Sequence, residues 1–321
     1  MSRTLILVER PFRDLRSQAM LAALLPRLGG DVRPLLATVD KEVPSDFEAV
    51  PLDLDPASLG VTRMVLAGIF EDRAEFQRMI AIASRGVAAG ATLEARSLSL
   101  AIREARHDPP EGIALLDLAQ LLEVREHQTM DILIRWRVAA PLRLLPYPER
   151  TGDLDMMLAQ KLPAGPILGL SMIGGPDSKQ KVEANVDLLR KVLAPFAGWP
   201  ILPLPVEDSG SIHDDGWATL DFAGMFLPQS PILLPEMADA EWRRSNLTPA
   251  RLRGLVARCH WLVARHDLPA SMAIALGIPV IGIALGRPPE RRIASCLSTL
   301  ANDLPNGSRL LWLGMQKGEQ G

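Results

Sequence analysis

Apolar positions along the chain fall into short blocks with two alternating periods. "TLILVE" (4–9), "DVRPLLA" (31–37), "FEAVPLDL" (47–54) and "RMVLAGIF" (63–70) are near-continuous apolar runs of strand length. "TLEARSLSLA" (92–101), "AQLLEVRE" (119–126) and "LRLLP" (142–146) are of the same kind. Between them, "DLRSQAMLAALLPRL" (14–28), 72–90 and "QTMDILIRWRV" (128–138) carry the three-to-four-residue spacing of a helix, with Pro26 expected to end the first one early. The second half restarts the alternation. It predicts strands in "PILGLSM" (166–172), "WPILPLPV" (199–206), "PILLPEM" (231–237), "HWLVA" (260–264), "PVIGIAL" (279–285) and "SRLLWLG" (308–314). Helices are expected at 178–198 (one long amphipathic helix), 214–226, 248–259, 269–277 and 288–303. Strands alternating with helices imply mostly parallel, doubly wound sheets with helices on both faces.

Length divides this pattern in two. A chain of 321 residues exceeds the usual single core, and the polar stretch 149–165 marks a boundary between domains 1–150 and 151–321. Hydrophobic residues make up 48% of the chain, enough for two substantial cores. A net charge of −3 gives no reason to expect a nucleic-acid partner. Cys259 and Cys296 form neither a metal spacing nor a disulfide framework, which suits a reducing, cytoplasmic setting. "TLILV" runs at once into Glu9 and Arg10, unlike a secretory signal. The uncharged stretch Leu268–Gly286 has the length of a membrane span. Gly277 and Pro279 break it at the centre, so it reads as a helix feeding a buried strand.

Three segments resemble the polysaccharide pyruvyl transferase family. "LLEVREHQTMDILIRWRVAAPLRLLPYPE" (121–149) is similar to the family's strand, turn, helix and short strand, and "TPARLRGLVARCHWLVARHDLPASMAIALGIPVIGIAL" (248–285) to its helix, Arg/His-bearing strand end, alanine-rich helix and final strand. "DLRSQAML" (14–21) is a fainter echo of the family's N-terminal loop. The chain departs from the pattern at several points. Arg265 and His266 stand adjacent and out of phase, Arg16 and Ser17 replace a glycine and an aspartate, and Tyr147 replaces another aspartate. The resemblance implies two facing Rossmann-like, GT-B-like domains. It also implies transfer of pyruvate from phosphoenolpyruvate to a saccharide, with or without a lipid carrier, as a ketal in cell-surface polysaccharide synthesis.

That chemistry needs cations for a carboxylate and a phosphate, and a group that moves a proton. His266, Arg265 and Glu126 are the catalytic candidates, with His127 beside Glu126 as an alternative. Gly174, Gly175, Ser178 and Lys179 form a turn that can cradle an anion, and Arg125, Asp208, His213 and Arg287 are further substrate-binding candidates. Phosphoenolpyruvate is expected between the loops bearing Arg265–His266 and Gly174–Gly175, with the sugar toward the N-terminal domain. For each residue a plain role as a solvated or packing group stands beside the functional one. The triplets Asp53–Leu54–Asp55 and Asp153–Leu154–Asp155 read as turns rather than as a metal site, and neither metal nor cofactor is expected. The rival readings are a GT-B glycosyltransferase using a sugar nucleotide, and a catalytically inactive relative that binds a glycan or a partner.

Overall fold

A computed structural model describes residues 3–8, 12, 14–29, 34–38, 47–53, 55–101, 108–207, 214–285 and 292–313. The chain divides into two compact units: Met1–Arg13 with Met20–Pro148, and Asp14–Ala19 with Glu149–Gly321. The first few residues of the first helix thus group with the second half of the sequence.

In the first unit, strands β1 (Thr4–Leu7), β2 (Leu35–Ala37), β3 (Glu48–Val50), β4 (Arg63–Phe70), β5 (Thr92–Leu100), β6 (Ala119–Val124) and β7 (Leu142–Leu144) form one parallel sheet of order β3-β2-β1-β4-β5-β6-β7. Alternation along the strands separates two cores. Leu5, Leu7, Met64, Leu66 and Leu93 pack with helices α2 (Arg73–Ala88) and α3 (His127–Arg135), whereas Ile6, Val8, Val65 and Ala67 face α1 (Leu15–Leu28) through Met20, Leu21 and Leu24. Pro26 does not end α1. The helix runs two residues further, and its last carbonyls are taken by cations: Arg63 Nη1 donates to Leu28 O at 2.7 Å and Arg96 Nη1 to Arg27 O at 3.3 Å.

In the second unit, β8 (Leu168–Ser171), β9 (Ile201–Pro203), β10 (Trp261–Ala264), β11 (Val280–Leu285) and β12 (Arg309–Leu313) form a second parallel sheet of order β12-β11-β10-β8-β9. Its helices are α4 (Pro176–Glu183), α5 (Val186–Leu193), α6 (Asp215–Phe226), α7 (Ala240–Asn246), α8 (Pro249–Val256), α9 (Asp267–Ala275) and α10 (Arg292–Thr299). Leu168, Leu170, Val263, Ile281 and Ile283 pack against α4, α5 and α6. On the other face, Gly282 lies close against Leu297 and Ile293 of α10.

Two expectations fail here for local reasons. The helix over 178–198 is two helices, because Asn185 leaves helical geometry (φ −121°, ψ 24°) and serves as the N-cap of α5. "PILLPEM" is not a strand: only Ile232 bridges Ile201, and Leu234 then turns into the left-handed region (φ 47°) before a 3₁₀ turn at Pro235–Ala238. Beyond Leu233, which donates to Ile201 O at 2.8 Å, Pro235 has no N–H with which to continue a ladder. The uncharged stretch is α9 followed by β11, and among the described residues no helix is long and apolar enough to cross a membrane.

Candidate functional site

In the second sheet β8 lies between β9 and β10, so the strand order reverses at the β8–β10 pair. Ligands in sheets of this kind bind outside the carboxyl ends of the strands at such a reversal. The loops leaving these two ends are 172–175 and 265–266, which carry Gly174, Gly175, Arg265 and His266.

The two loops are joined directly. Arg265 Nη1 donates to Ile173 O at 3.1 Å. The first two turns of α6 pin the rest of 172–174: Met172 N donates to Thr219 Oγ1 at 3.2 Å and Gly174 N to Asp215 Oδ1 at 3.1 Å. The other Asp215 oxygen accepts from Glu207 N at 2.7 Å and Val206 N at 3.3 Å, and lies 2.7 Å from His266 Nε2. One carboxylate therefore gathers backbone from the loops after β8 and β9 and a side chain from the loop after β10. Gly175 begins α4 with φ 112°, a conformation that strains any residue bearing a Cβ.

Electrostatics follow from this packing. Burial alone disfavours a charged imidazole, but Asp215 and, further off, Glu207 outweigh it and hold the His266 pKa above its ordinary value. Burial likewise works against the Asp215 charge, and the His266 contact together with the backbone donors keeps its carboxyl below the usual range. Arg16, 1% exposed, pairs with Glu207, and its Nε stands 3.8 Å from Asp267 Oδ1. Burial is the largest influence on Arg16; the carboxylates of Asp267, Asp14 and Glu207 overcome it and raise its pKa. Arg265, His266 and Asp267 are themselves 3%, 2% and 3% exposed. They form a preorganised buried network at the strand ends, not a flexible rim.

Lys179 is exposed on α4, and the Ser178 side chain lies outside the described residues, as do Asp208, His213 and Arg287. Arg125 and Glu126 belong to the first unit, at the end of β6. There Glu126 accepts from Ser99 Oγ at 2.6 Å, Thr129 Oγ1 at 2.7 Å and Tyr147 Oη at 3.3 Å, and Arg125 stacks over the Tyr147 ring at 4.4 Å. Three hydroxyls thus donate to this one carboxyl group. His127 opens α3.

Asp55 caps the 3₁₀ turn at Pro56–Leu59, and Asp155 accepts from Met157 N while pairing with Arg251. Asp55 and Asp155 thus each serve a turn. Among the described residues no group of three or more His, Cys, Asp or Glu could hold a metal ion.

Sequence reasoning missed Arg16, Glu207, Asp215 and Thr219 as members of the site. Asp215 and its partner His266 are separated by a whole strand-and-helix series, so spacing carries no signal. A hint did exist: an "HDD" run before a helix, of which only Asp214 is needed as its cap, accepting from Gly216 N at 2.7 Å.

No family model matches the chain, and no curated protein does. Solved structures do. The UDP-GlcNAc 2-epimerase from Methanocaldococcus jannaschii in complex with UDP-GlcNAc and UDP aligns over 97% of this chain and 89% of its own, with TM-score 0.57 and 10% identity. A putative UDP-N-acetylglucosamine 2-epimerase from Listeria monocytogenes aligns over 91% and 81%, with TM-score 0.56 and 9% identity. The Neisseria meningitidis UDP-GlcNAc 2-epimerase bound to UDP-GlcNAc aligns over 96% and 87%, with TM-score 0.53 and 8% identity. At these identities the likeness is one of fold: two parallel α/β units of the Rossmann-like, GT-B-like kind.

Proposed function

We propose that this chain binds a nucleoside diphosphate sugar at the carboxyl edge of its second sheet and acts on the sugar by transfer or isomerisation. The observation that carries the reading is the Arg265–Ile173 hydrogen bond, which ties the loops after β8 and β10 together where the strand order reverses. Arg265, His266 and Arg16 are buried and paired within the protein, so their part is to hold these loops, while the N-terminal end of α4 at Gly175 suits a diphosphate. Proteins of the same fold are known with UDP-GlcNAc and UDP bound. Phosphoenolpyruvate, the donor implied by the sequence resemblance, has no comparable support, so pyruvyl transfer gives way to the nucleotide reading.

Thermal melting of the full chain tests it. A ligand at a hundred times its Kd stabilises the folded state by about 2.7 kcal/mol, and each kcal/mol raises Tm by roughly 2–4 °C at this domain size. UDP and UDP-GlcNAc should each give such a shift, and phosphoenolpyruvate none. Stabilisation by phosphoenolpyruvate with indifference to both nucleotides would reverse the assignment.

A further inference from the structure

We infer that Asp215, ion-paired with His266, is the positioning residue of this site: it sets the loops after β8 and β9 in register and makes their order depend on the charge of His266. The inference rests on the nucleotide reading for its functional consequence, but its structural content stands apart from it.

Asp215 occupies the first position of α6, yet its side chain does not cap its own helix, because Asp214 already does so. Its two oxygens instead accept three amides from outside the helix, Gly174, Val206 and Glu207. An amide clamp of this kind needs an acceptor with two oxygens and no hydrogen. An asparagine would keep one oxygen and turn an NH₂ toward amides that also donate.

Below Asp215, Thr219 repeats the arrangement one helical turn on: its hydroxyl donates to Asp215 O at 2.7 Å and accepts from Met172 N. Loop 172–174 is therefore fixed at Met172, Ile173 and Gly174 by α6 and Arg265 together. Catalytic or binding loops hold their geometry only through such supporting contacts.

His266 supplies the positive charge that keeps the buried carboxylate in place. The charged groups facing it are Asp215 from α6, Glu207 from the segment after β9 and Arg16 from the start of α1. Asp267 on α9 and Asp14 complete the shell around Arg16. When pH rises far enough to discharge His266, Asp215 loses its cation inside the protein. The clamp then weakens from the loop side, where Gly174 and Glu207 must compete with water.

The test uses amide hydrogen exchange and UDP binding on the full chain, with Asp215→Asn and His266→Gln. Glutamine keeps a donor toward Asp215 without a charge that titrates. In Asp215→Asn the amides of Gly174, Val206 and Glu207 should exchange at least about tenfold faster, while Leu66 and Leu122 in the first sheet are unchanged. In the native chain the same three amides should speed up as pH rises beyond the increase intrinsic to exchange, and His266→Gln should remove that excess. UDP affinity should fall about tenfold in Asp215→Asn and lose its alkaline dependence in His266→Gln.

If UDP binds the native chain and Asp215→Asn equally, with unchanged exchange, the positioning role is wrong and the nucleotide reading stands. If UDP binds neither while the three amides loosen as expected, the positioning role stands and the nucleotide reading fails. Should Asp215→Asn not fold cooperatively, His266→Gln decides: an undiminished alkaline excess in exchange overturns the inference.

Discussion

Asp214 and Asp215 differ only in which way they face. Asp214 turns toward α7 and pairs with Arg243, whose guanidinium also donates to Met237 O at 2.9 Å and Ala238 O at 3.0 Å. Arg243 is 4% exposed, so removing its carboxylate leaves a charge with little water to take its place. Asp214→Ala should cost about 3–5 kcal/mol, seen as a lower urea midpoint with an unchanged m-value. Glu126 offers a contrast within the first unit. Its carboxyl group accepts from three hydroxyls, and Arg125 Nε lies 3.9 Å away. Tyr147→Phe removes one of three hydroxyl donors and should cost about 1 kcal/mol in the same assay.

At the scale of elements, two glycines that both have positive φ serve different ends. Gly277 follows α9 with φ 74°, and nothing lies within 4 Å of a Cβ placed there. Gly277→Ala should cost about 1–2 kcal/mol from backbone strain alone, without altering ligand affinity. Gly175 has open space too, but its φ of 112° lies further from any conformation that alanine favours. Gly175→Ala should therefore shift the start of α4 and weaken UDP binding about tenfold, for a strain of about 1–3 kcal/mol. Calorimetric titration against melting separates the two cases.

For the whole molecule, the buried ion pair sets how stability depends on pH. His266 has its pKa raised above 6.5, so its contribution is complete below that value and is lost as pH climbs through the raised one. Asp215 has its pKa lowered below 3.8, so its contribution is complete above that value and is lost as pH falls through the lowered one. Tm should therefore hold a plateau between these limits as far as this pair is concerned, and decline on the alkaline side as His266 discharges. His266→Gln should lower the plateau and flatten that decline; an alkaline slope identical to the native one would show that the imidazole is not the group titrating.

Much of the fold was legible because a parallel sheet buried on both faces leaves a plain mark: apolar runs such as "RMVLAGIF" and "PVIGIAL" became β4 and β11. Capping chemistry was equally local, and Thr248 with Pro249 does begin α8. The loops bearing Arg265, His266 and Gly174 could be singled out, since a strand end is readable from the strand before it. What the sequence left open is strand order and the partners it creates. β8 pairs with β9 on one side and with β10 on the other, an order that no segment's own pattern specifies. Only then do Arg16, Glu207, Asp215 and His266, spread over some 250 residues of chain, come within hydrogen-bonding and ion-pair reach. Periodicity reports how each segment meets its immediate surroundings; which segments meet one another is decided by the free energy of the whole core, and no local pattern records it.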